Sequence, residues 1–255
     1  MTNAPQPTAQ PPWRQHAYDQ LQYNAPLSAE RARRLVALLA ARPAAPASPA
    51  SPASPASPVV DAVDLGCGWG TLLLDLLEAA PALNGVGVDL DTRQLDRARK
   101  AATTRGLDHR GSFVESAAAD WVGTADLVIC VGASHAFGGE SACLDALRER
   151  VSPTGRVLLG DGFWAGHPDQ HLLHTFGPMP GLAGLTDLAV DAGFRVRHAS
   201  SSTLDEWDDF ESDWRAGMDA TGDADAAAFC EGRRREYLGG YRGILGFAWL
   251  VLDPL

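Results

Sequence analysis

The sequence lacks three features: a long apolar run, a secretory leader and paired cysteines. No apolar stretch approaches the roughly 20 residues that span a bilayer, so we expect no membrane partner. Residues 1–12 are polar and proline-rich, without the charged and then apolar stretches of a secretory signal. The four cysteines, at positions 67, 130, 143 and 230, show no C-x-x-C spacing. Free thiols in a cytoplasmic protein are therefore the simplest interpretation.

Positive charge is also scarce. The chain carries 21 Lys and Arg against 32 Asp and Glu, a formal net charge of -11. Nucleic-acid binding normally depends on basic side chains that neutralise phosphates, so we expect no nucleic-acid partner. Among the seven histidines, the pair His171 and His174 has no clear third ligand, and we predict no metal site.

The chain divides into segments by composition. Four Ala-Ser-Pro repeats predict an exposed linker of the polyproline II type, and Ser28 is a good N-cap for a helix over 29–42. The predicted segments are a disordered tail (1–12), N-terminal lid helices (13–42), the linker (43–58) and one domain (59–255) with a lid insertion at about 203–241.

After the linker, strand-like and helix-like patterns alternate. Strands are predicted near 59–65, 84–89, 111–115, 125–131, 155–160, 194–200 and 244–252, and helices near 70–80, 92–105, 139–150 and 181–192. Such alternation predicts a Rossmann-like, doubly wound, mostly parallel seven-stranded sheet with helices on both faces. Ligands of such sheets bind beyond the carboxyl ends of the strands.

The most informative motif follows the first strand, where Asp64 precedes a G-x-G-x-G turn. A dinucleotide fingerprint would place a third glycine where Thr71 stands, and Asp64 would repel a phosphate but suits an ammonium group. Asp89, at the end of the next strand, can accept hydrogen bonds from both hydroxyls of a ribose.

Together these residues resemble the class I S-adenosylmethionine-dependent methyltransferases over about residues 59–159. The resemblance implies S-adenosylmethionine as cofactor, with Asp64 near its ammonium group, Gly66 and Gly68 against its amino-acid part, Asp89 on the ribose and Leu90 on the adenine face. Cys67 is expected to be a small packing residue. The predicted cofactor-binding set is Asp64, Gly66, Cys67, Gly68, Asp89, Leu90, Ala117, Ala118 and Gly132.

The loop expected at the adenine edge departs from the family. The usual acidic position aligns with Ala117, so either Ser116 or Asp120 supplies the polar contact. The backbone N–H of Ala118 remains available to adenine.

The segment after the fourth strand lacks the Asn/Asp-Pro-Pro-Tyr/Phe signature of nucleic-acid and protein methyltransferases, but it contains His135. An imidazole titrates near neutral pH, so His135 is the predicted catalytic base or orienting group, with His167 as a second candidate. Three segments resemble a group of bacterial small-molecule methyltransferases: the one around His135, the one from Asn24 to Ser28, and Tyr241-Arg242-Gly243. Caps that enclose the acceptor are implied by this resemblance. The predicted substrate-binding residues are Tyr23, Trp164, Trp207, Tyr241 and Arg242.

The predicted function is methyl transfer from S-adenosylmethionine to a nitrogen or oxygen nucleophile of a small molecule. A cyclopropane-forming transferase and a non-catalytic cofactor-binding module are the alternatives, and Thr71 and Asp64 disfavour a nicotinamide oxidoreductase. The carboxylate-rich run 205–214 is either a solvated helix face or a cap that attracts a cationic acceptor.

Overall fold

The computed structural model describes residues 11–41 and 59–255. The predicted linker lies outside the described residues, as does the predicted tail except for its last two positions. Within the described ranges, no helix combines the length and the apolar character needed to cross a bilayer.

A single seven-stranded sheet organises the described chain. Its strands are β1 (Val59–Leu65), β2 (Gly85–Asp89), β3 (Gly111–Glu115), β4 (Thr124–Val131), β5 (Val151–Trp164), β6 (Phe194–Ser201) and β7 (Leu245–Pro254). The spatial order is β3-β2-β1-β4-β5-β7-β6, and β7 pairs antiparallel with both of its neighbours while the other pairs are parallel. This confirms the predicted Rossmann-like, mostly parallel sheet.

Helices cover both faces of the sheet. They are α1 (Ala29–Ala40), α2 (Thr71–Ala79), α3 (Thr92–Thr104), α4 (Glu140–Arg150), α5 (Gln170–Phe176), α6 (Leu182–Asp191), α7 (Leu204–Asp219) and α8 (Ala224–Glu236). Side chains of a strand alternate between its faces. Leu158 accordingly packs in the core shared with α1, α2 and α3, whereas Val157 and Leu159 pack in the core shared with α4 and α6.

Strand β5 is longer than the predicted 155–160. Ala125 and Leu127 of β4 pair with Val151 and Arg156 of β5, so residues 152–155 of β5 form an irregularity in the pairing. Pro153, which has no N–H to donate, fits such an unpaired position. The residues between the predicted helix 139–150 and the predicted strand 155–160 thus belong to the continuous strand β5.

The N-terminal segment and the insertion before β7 pack against each other. Thr203 and Glu206 form a capping box at the start of α7. The same Glu206 carboxylate accepts hydrogen bonds from Ser28 Oγ at 2.6 Å and Arg31 Nε at 2.9 Å at the start of α1. At Gly217 of α7 a Cβ would overlap the His16 carbonyl oxygen. The two additions to the core thus form one structural unit.

Arg156 ties α1 to the sheet. Its guanidinium is only 2% exposed, donates to Asp253 Oδ1 at 2.8 Å, and caps the carbonyls of Leu38 and Ala41 at the end of α1. We expect Arg156→Met to lower the free energy of unfolding by about 3 kcal/mol, because it removes one partner of a buried charge pair. Urea unfolding measures this. The control is Arg197→Met, which removes the half-exposed second partner of Asp253; it should cost less than about 1 kcal/mol. Equal losses of unfolding free energy in the two variants would contradict the claim that Arg156 is the buried partner that ties α1 to the sheet.

Candidate functional site

A cavity of about 290 Å³ lies at the carboxyl ends of β1, β2 and β4, where the sheet topology places ligand sites. It combines residues from the glycine turn, from the ends of three strands and from the N-terminal segment. Its lining residues are Tyr23, Asn24, Ala25, Asp64, Gly66, Cys67, Gly68, Trp69, Thr71, Leu72, Asp89, Leu90, Ala118, Val131, Gly132, Ala133, His135 and Ala136.

The glycine turn holds the backbone against this cavity. The N–H groups of Gly66 and Cys67 both donate to the Val88 carbonyl, at 2.8 and 3.0 Å. Gly66 and Gly68 have φ of +79° and +52°, which favours glycine. A Cβ at Gly66 would come within 2.6 Å of Ala133, whereas a Cβ at Gly68 would meet no atom within 4 Å. Gly66 thus permits the close approach of two turns, and Gly68 leaves cavity space for a ligand.

Asp89 is held against the glycine turn by backbone hydrogen bonds. Its Oδ2 accepts the Gly68 N–H at 2.7 Å and its Oδ1 accepts the Asp91 N–H at 2.9 Å. A carboxylate oxygen accepts more than one hydrogen bond, so both oxygens can still receive hydroxyl groups. Leu90, which lines the same cavity, is 67% exposed and offers an apolar face to a flat ring.

Asp64 gives the cavity its electrostatic character. The residue is 3% exposed, and burial together with the charge of Asp89 raises its pKa from 3.8 to about 8. Burial and the Asp89 charge are the two causes of this shift, and no hydrogen bond or cation among the described residues offsets them. A buried carboxylate without a partner is costly, and a cation bound beside it would relieve that cost.

The N-terminal segment closes one side of the cavity. Trp69 Nε1 in the glycine turn donates to the Gln22 carbonyl at 2.9 Å. Arg97 of α3 donates to the carbonyls of Tyr18 and Leu21 at 2.8 and 2.9 Å, and its guanidinium lies 4.2 Å from the centre of the Trp69 ring. These contacts hold the segment across the cavity. It contributes Tyr23, Asn24 and Ala25 to the lining.

His135 lies at the rim of the cavity. It belongs to the 3₁₀ turn Ser134–Phe137 directly after β4, and its side chain is exposed. The structure thus brings His135 together with Asp64 and Asp89 around one cavity. The second candidate, His167, does not line it.

Most predicted cofactor residues converge on the cavity, and Ala117 is the exception. Ala118 lines it, while Ser116 Oγ donates to the Ala117 carbonyl at 3.3 Å and Asp120 is exposed. Neither polar alternative for the adenine edge lines the cavity.

The predicted substrate residues separate into two groups. Tyr23 lines the cavity, and its hydroxyl donates to Asp75 at 2.8 Å. Trp164, Trp207 and Tyr241 do not line it and belong instead to an aromatic cluster. Arg242 forms a two-point ion pair with Asp208, at 2.8 and 2.7 Å.

The acidic run is partly neutralised. Glu206 pairs with Arg31, Asp208 with Arg242, and Glu211 with Arg233. The remaining carboxylates of the run, Asp205, Asp209 and Asp213, are exposed on α7. The side of α7 that packs on the protein therefore carries compensated charge, and its uncompensated charge faces solvent.

Five lining residues were not predicted, namely Asn24, Ala25, Thr71, Leu72 and Val131, whereas Trp69, Ala133 and Ala136 lie in the stretches 66–70 and 132–139 that the strand-end rule predicts to face a ligand. Positions next to the glycine turn and at the end of β4 follow from the rule that ligands bind beyond strand ends. Within the described chain, no group of three or more His, Cys, Asp or Glu side chains is arranged to hold a metal ion.

Comparison with known proteins adds independent findings. A family model described as a methyltransferase domain matches residues 62–155. The chain is 32% identical over 167 residues to the methyltransferase ungE' of Aspergillus campestris, covering 60% of this chain and 47% of that protein, about half of its length. It is 28% identical over 181 residues to the protein YjhP of Escherichia coli, covering 65% and 71% of the two chains.

A solved structure extends the similarity to almost the whole chain. The S-adenosylmethionine-dependent methyltransferase from Geobacter sulfurreducens, crystallised with S-adenosyl-L-homocysteine, superposes with a TM-score of 0.80 at 21% identity. The alignment covers 96% of this chain and 98% of that one. The overlap includes the additions to the core and shows a shared fold.

Proposed function

We propose that this chain, which belongs to the class I S-adenosylmethionine-dependent methyltransferases, transfers the methyl group of its cofactor to a nitrogen or oxygen nucleophile of a small molecule. The observation that carries the proposal is the placement of two carboxylates around one cavity. Asp64 is buried and lacks a cation, and Asp89 has acceptor capacity on both oxygens.

The residues that line the cavity suit the chemical groups of the cofactor. The Asp64 carboxylate would hold the ammonium group, Asp89 would receive the ribose hydroxyls, and exposed Leu90 would cover the adenine. Gly68 supports this fit because a Cβ there would enter the open space. When bound, S-adenosylmethionine supplies a sulfonium methyl group that bonds to the acceptor lone pair as the carbon–sulfur electron pair stays on sulfur.

The chain itself has three tasks in this proposal: to orient the acceptor, to exclude water and to take up a proton. The N-terminal segment and α7–α8 act as the lid that excludes water, supported by their mutual contacts and by the lining role of Tyr23. His135 takes a proton from the methyl-accepting molecule or orients that molecule by a hydrogen bond.

His135→Ala is expected to lower kcat about a hundredfold, which is typical of a lost general base, and to leave the Kd of S-adenosylhomocysteine unchanged. Steady-state kinetics and calorimetry measure the two effects. His135→Gln separates the roles, because it keeps hydrogen bonding without basicity. If His167→Ala lowers kcat and His135→Ala does not, the assignment of His135 as the base is wrong.

The acceptor class and the location belong to the same proposal. The net charge of -11 disfavours a nucleic-acid substrate, and the four cysteines, all free in the structure, are compatible with the cytoplasm. Incubation with S-adenosylmethionine and a panel of amines, phenols, thiols and carboxylates, with mass detection of products, tests the function. A product 14 mass units heavier with one amine or phenol supports it; cofactor binding without any product across acceptor classes would favour a binding module.

A further inference from the structure

Two buried indole N–H groups stand without a hydrogen-bond partner among the described residues. They belong to Trp164, at the end of β5, and to Trp207, in α7. Trp207 is 8% exposed. By contrast, Trp69 and Trp249 each donate their indole N–H at 2.9 Å, to the Gln22 carbonyl and to Ser202 Oγ. Buried donors in folded proteins are normally paired, so the two unpaired groups mark a place for an acceptor from outside the chain.

The two tryptophans belong to one aromatic cluster, which consists of Trp164, Phe176, Tyr241 and Trp207. Ring centres are 6.3 Å apart for Trp164 and Phe176, 5.1 Å for Phe176 and Tyr241, and 6.5 Å for Tyr241 and Trp207. All three contacts have edge-to-face geometry. Aromatic side chains in such numbers favour a flat, largely apolar ligand.

The aromatic cluster shares one hydrophobic core with two residues that line the cofactor cavity. Val131, the last residue of β4, lines that cavity and packs in the same core as Trp164 and Phe176. Tyr23 lines the cavity from the N-terminal segment and packs in the same core as Trp207.

The charges around the cluster are already compensated. The Tyr241 hydroxyl donates to Glu211 at 2.7 Å, and Arg233 binds the same carboxylate at 2.7 and 3.0 Å. The neighbouring Asp208 is held by Arg242. An indole N–H only donates, so the unpaired groups select oxygen acceptors and offer nothing to an ammonium group.

We infer that the methyl-accepting molecule is a planar, largely apolar compound with a carbonyl or carboxylate oxygen, and that the indole N–H groups of Trp164 and Trp207 bind its oxygen atoms. The inference rests on the proposed function and narrows its substrate class. It makes these two tryptophans specificity determinants, distinct from His135 at the reacting atom.

Stability of the protein without ligand provides a first test. A Trp→Phe substitution removes an indole N–H and a similar volume at Trp164, Trp207 or Trp249. Among the described residues, only the substitution of Trp249 also removes a hydrogen bond. The Tm loss with Trp249→Phe should exceed that of the other two by about 2–4 °C. If Trp207→Phe and Trp249→Phe lower the Tm equally, the Trp207 N–H is not unpaired and the inference fails.

Ligand binding provides the second test. The indole N–H resonances of the ¹⁵N-labelled full chain, saturated with S-adenosylhomocysteine, are assigned with the three Phe variants. Millimolar benzoate and benzamide should shift the Trp164 and Trp207 resonances and leave that of Trp249 in place, and benzylamine should shift none of the three. Trp207→Phe should weaken benzoate binding about five- to tenfold, the effect of one lost hydrogen bond.

The outcomes separate the two proposals. The inference is overturned if benzylamine shifts the Trp164 and Trp207 resonances as much as benzoate does, or if neither benzoate nor benzamide shifts them. In both cases, binding of S-adenosylhomocysteine would still support the proposed function. Failure to bind S-adenosylhomocysteine overturns the proposed function itself.

Discussion

Asp64→Asn is expected to stabilise the ligand-free protein at about pH 8 and to weaken S-adenosylhomocysteine binding about a hundredfold. Folding raises the pKa of Asp64 from 3.8 to about 8, first through burial and second through the charge of Asp89. The folded state therefore binds more protons than the unfolded state between these values, and the Asp64 contribution to stability falls as pH rises through that window. Asparagine removes this penalty because it carries no charge.

Binding has the opposite dependence, because a ligand ammonium group needs the ionised carboxylate. Below about pH 8, affinity of the wild-type protein should fall by up to tenfold for each pH unit, since Asp64 must release its proton on binding. Asp64→Asn should bind weakly at every pH, because the loss of one partner of a buried charge pair costs several kcal/mol.

Thermal unfolding from about pH 4 to pH 8 and calorimetry in buffers of different ionisation enthalpy measure these effects. The stability gain of Asp64→Asn should grow across the range, by about 2–4 °C in Tm for each kcal/mol. The control is Asp61→Asn, at the other end of β1, where the carboxylate accepts from Asn84 and lies outside the cavity; its binding should match wild type. A variant that loses stability as well as binding would contradict the account of Asp64.

Asp89→Ala is expected to weaken S-adenosylhomocysteine binding about a hundredfold or more, since hydrogen bonds to a charged acceptor contribute about 1.5–3 kcal/mol each. The substitution removes the proposed ribose acceptor and the partner of the Gly68 N–H. It also removes a charge that raises the pKa of Asp64, so the pH at which the remaining affinity falls should move down.

Asp91→Ala is the matched control for this prediction. Asp91 lies two residues away and caps α3 by accepting the N–H groups of Arg93 and Gln94. Loss of this cap should lower the free energy of unfolding by about 1 kcal/mol, with binding within about twofold of wild type. Equal losses of affinity in both variants would show that disruption of the loop, and not the Asp89 carboxylate, determines binding.

Local patterns were sufficient to predict the first half of the domain. The strand–turn–helix from β1 to α2 was predicted within one residue at each boundary, because the apolar run, the glycines and the leucine-rich helix agree in one short stretch. The same stretch carries the family resemblance that assigned Asp64 and Gly68 to the cofactor, and both residues line the cavity.

Long-range contacts explain what the patterns did not predict. The lining role of Asn24 and Ala25 depends on the hydrogen bonds of Arg97 and Trp69 to a distant segment, which no local pattern encodes. The length of β5 depends on its pairing with β4, which begins at Val151, and with β7, which extends to Trp164. Pro153 has no pairing partner in either ladder. Arg242 was assigned to the substrate by resemblance, and its ion pair with Asp208 arises from the packing of α7.

The most direct test is calorimetric titration of the wild-type chain with S-adenosylhomocysteine at about pH 8, beside Asp89→Ala and Asp64→Asn. Saturable binding at one site, with a dissociation constant in the micromolar range and strongly weakened in both variants, is the predicted result. The absence of binding to the folded wild-type protein, or equal affinity in all three proteins, would contradict the claim that this cavity holds the methyl donor.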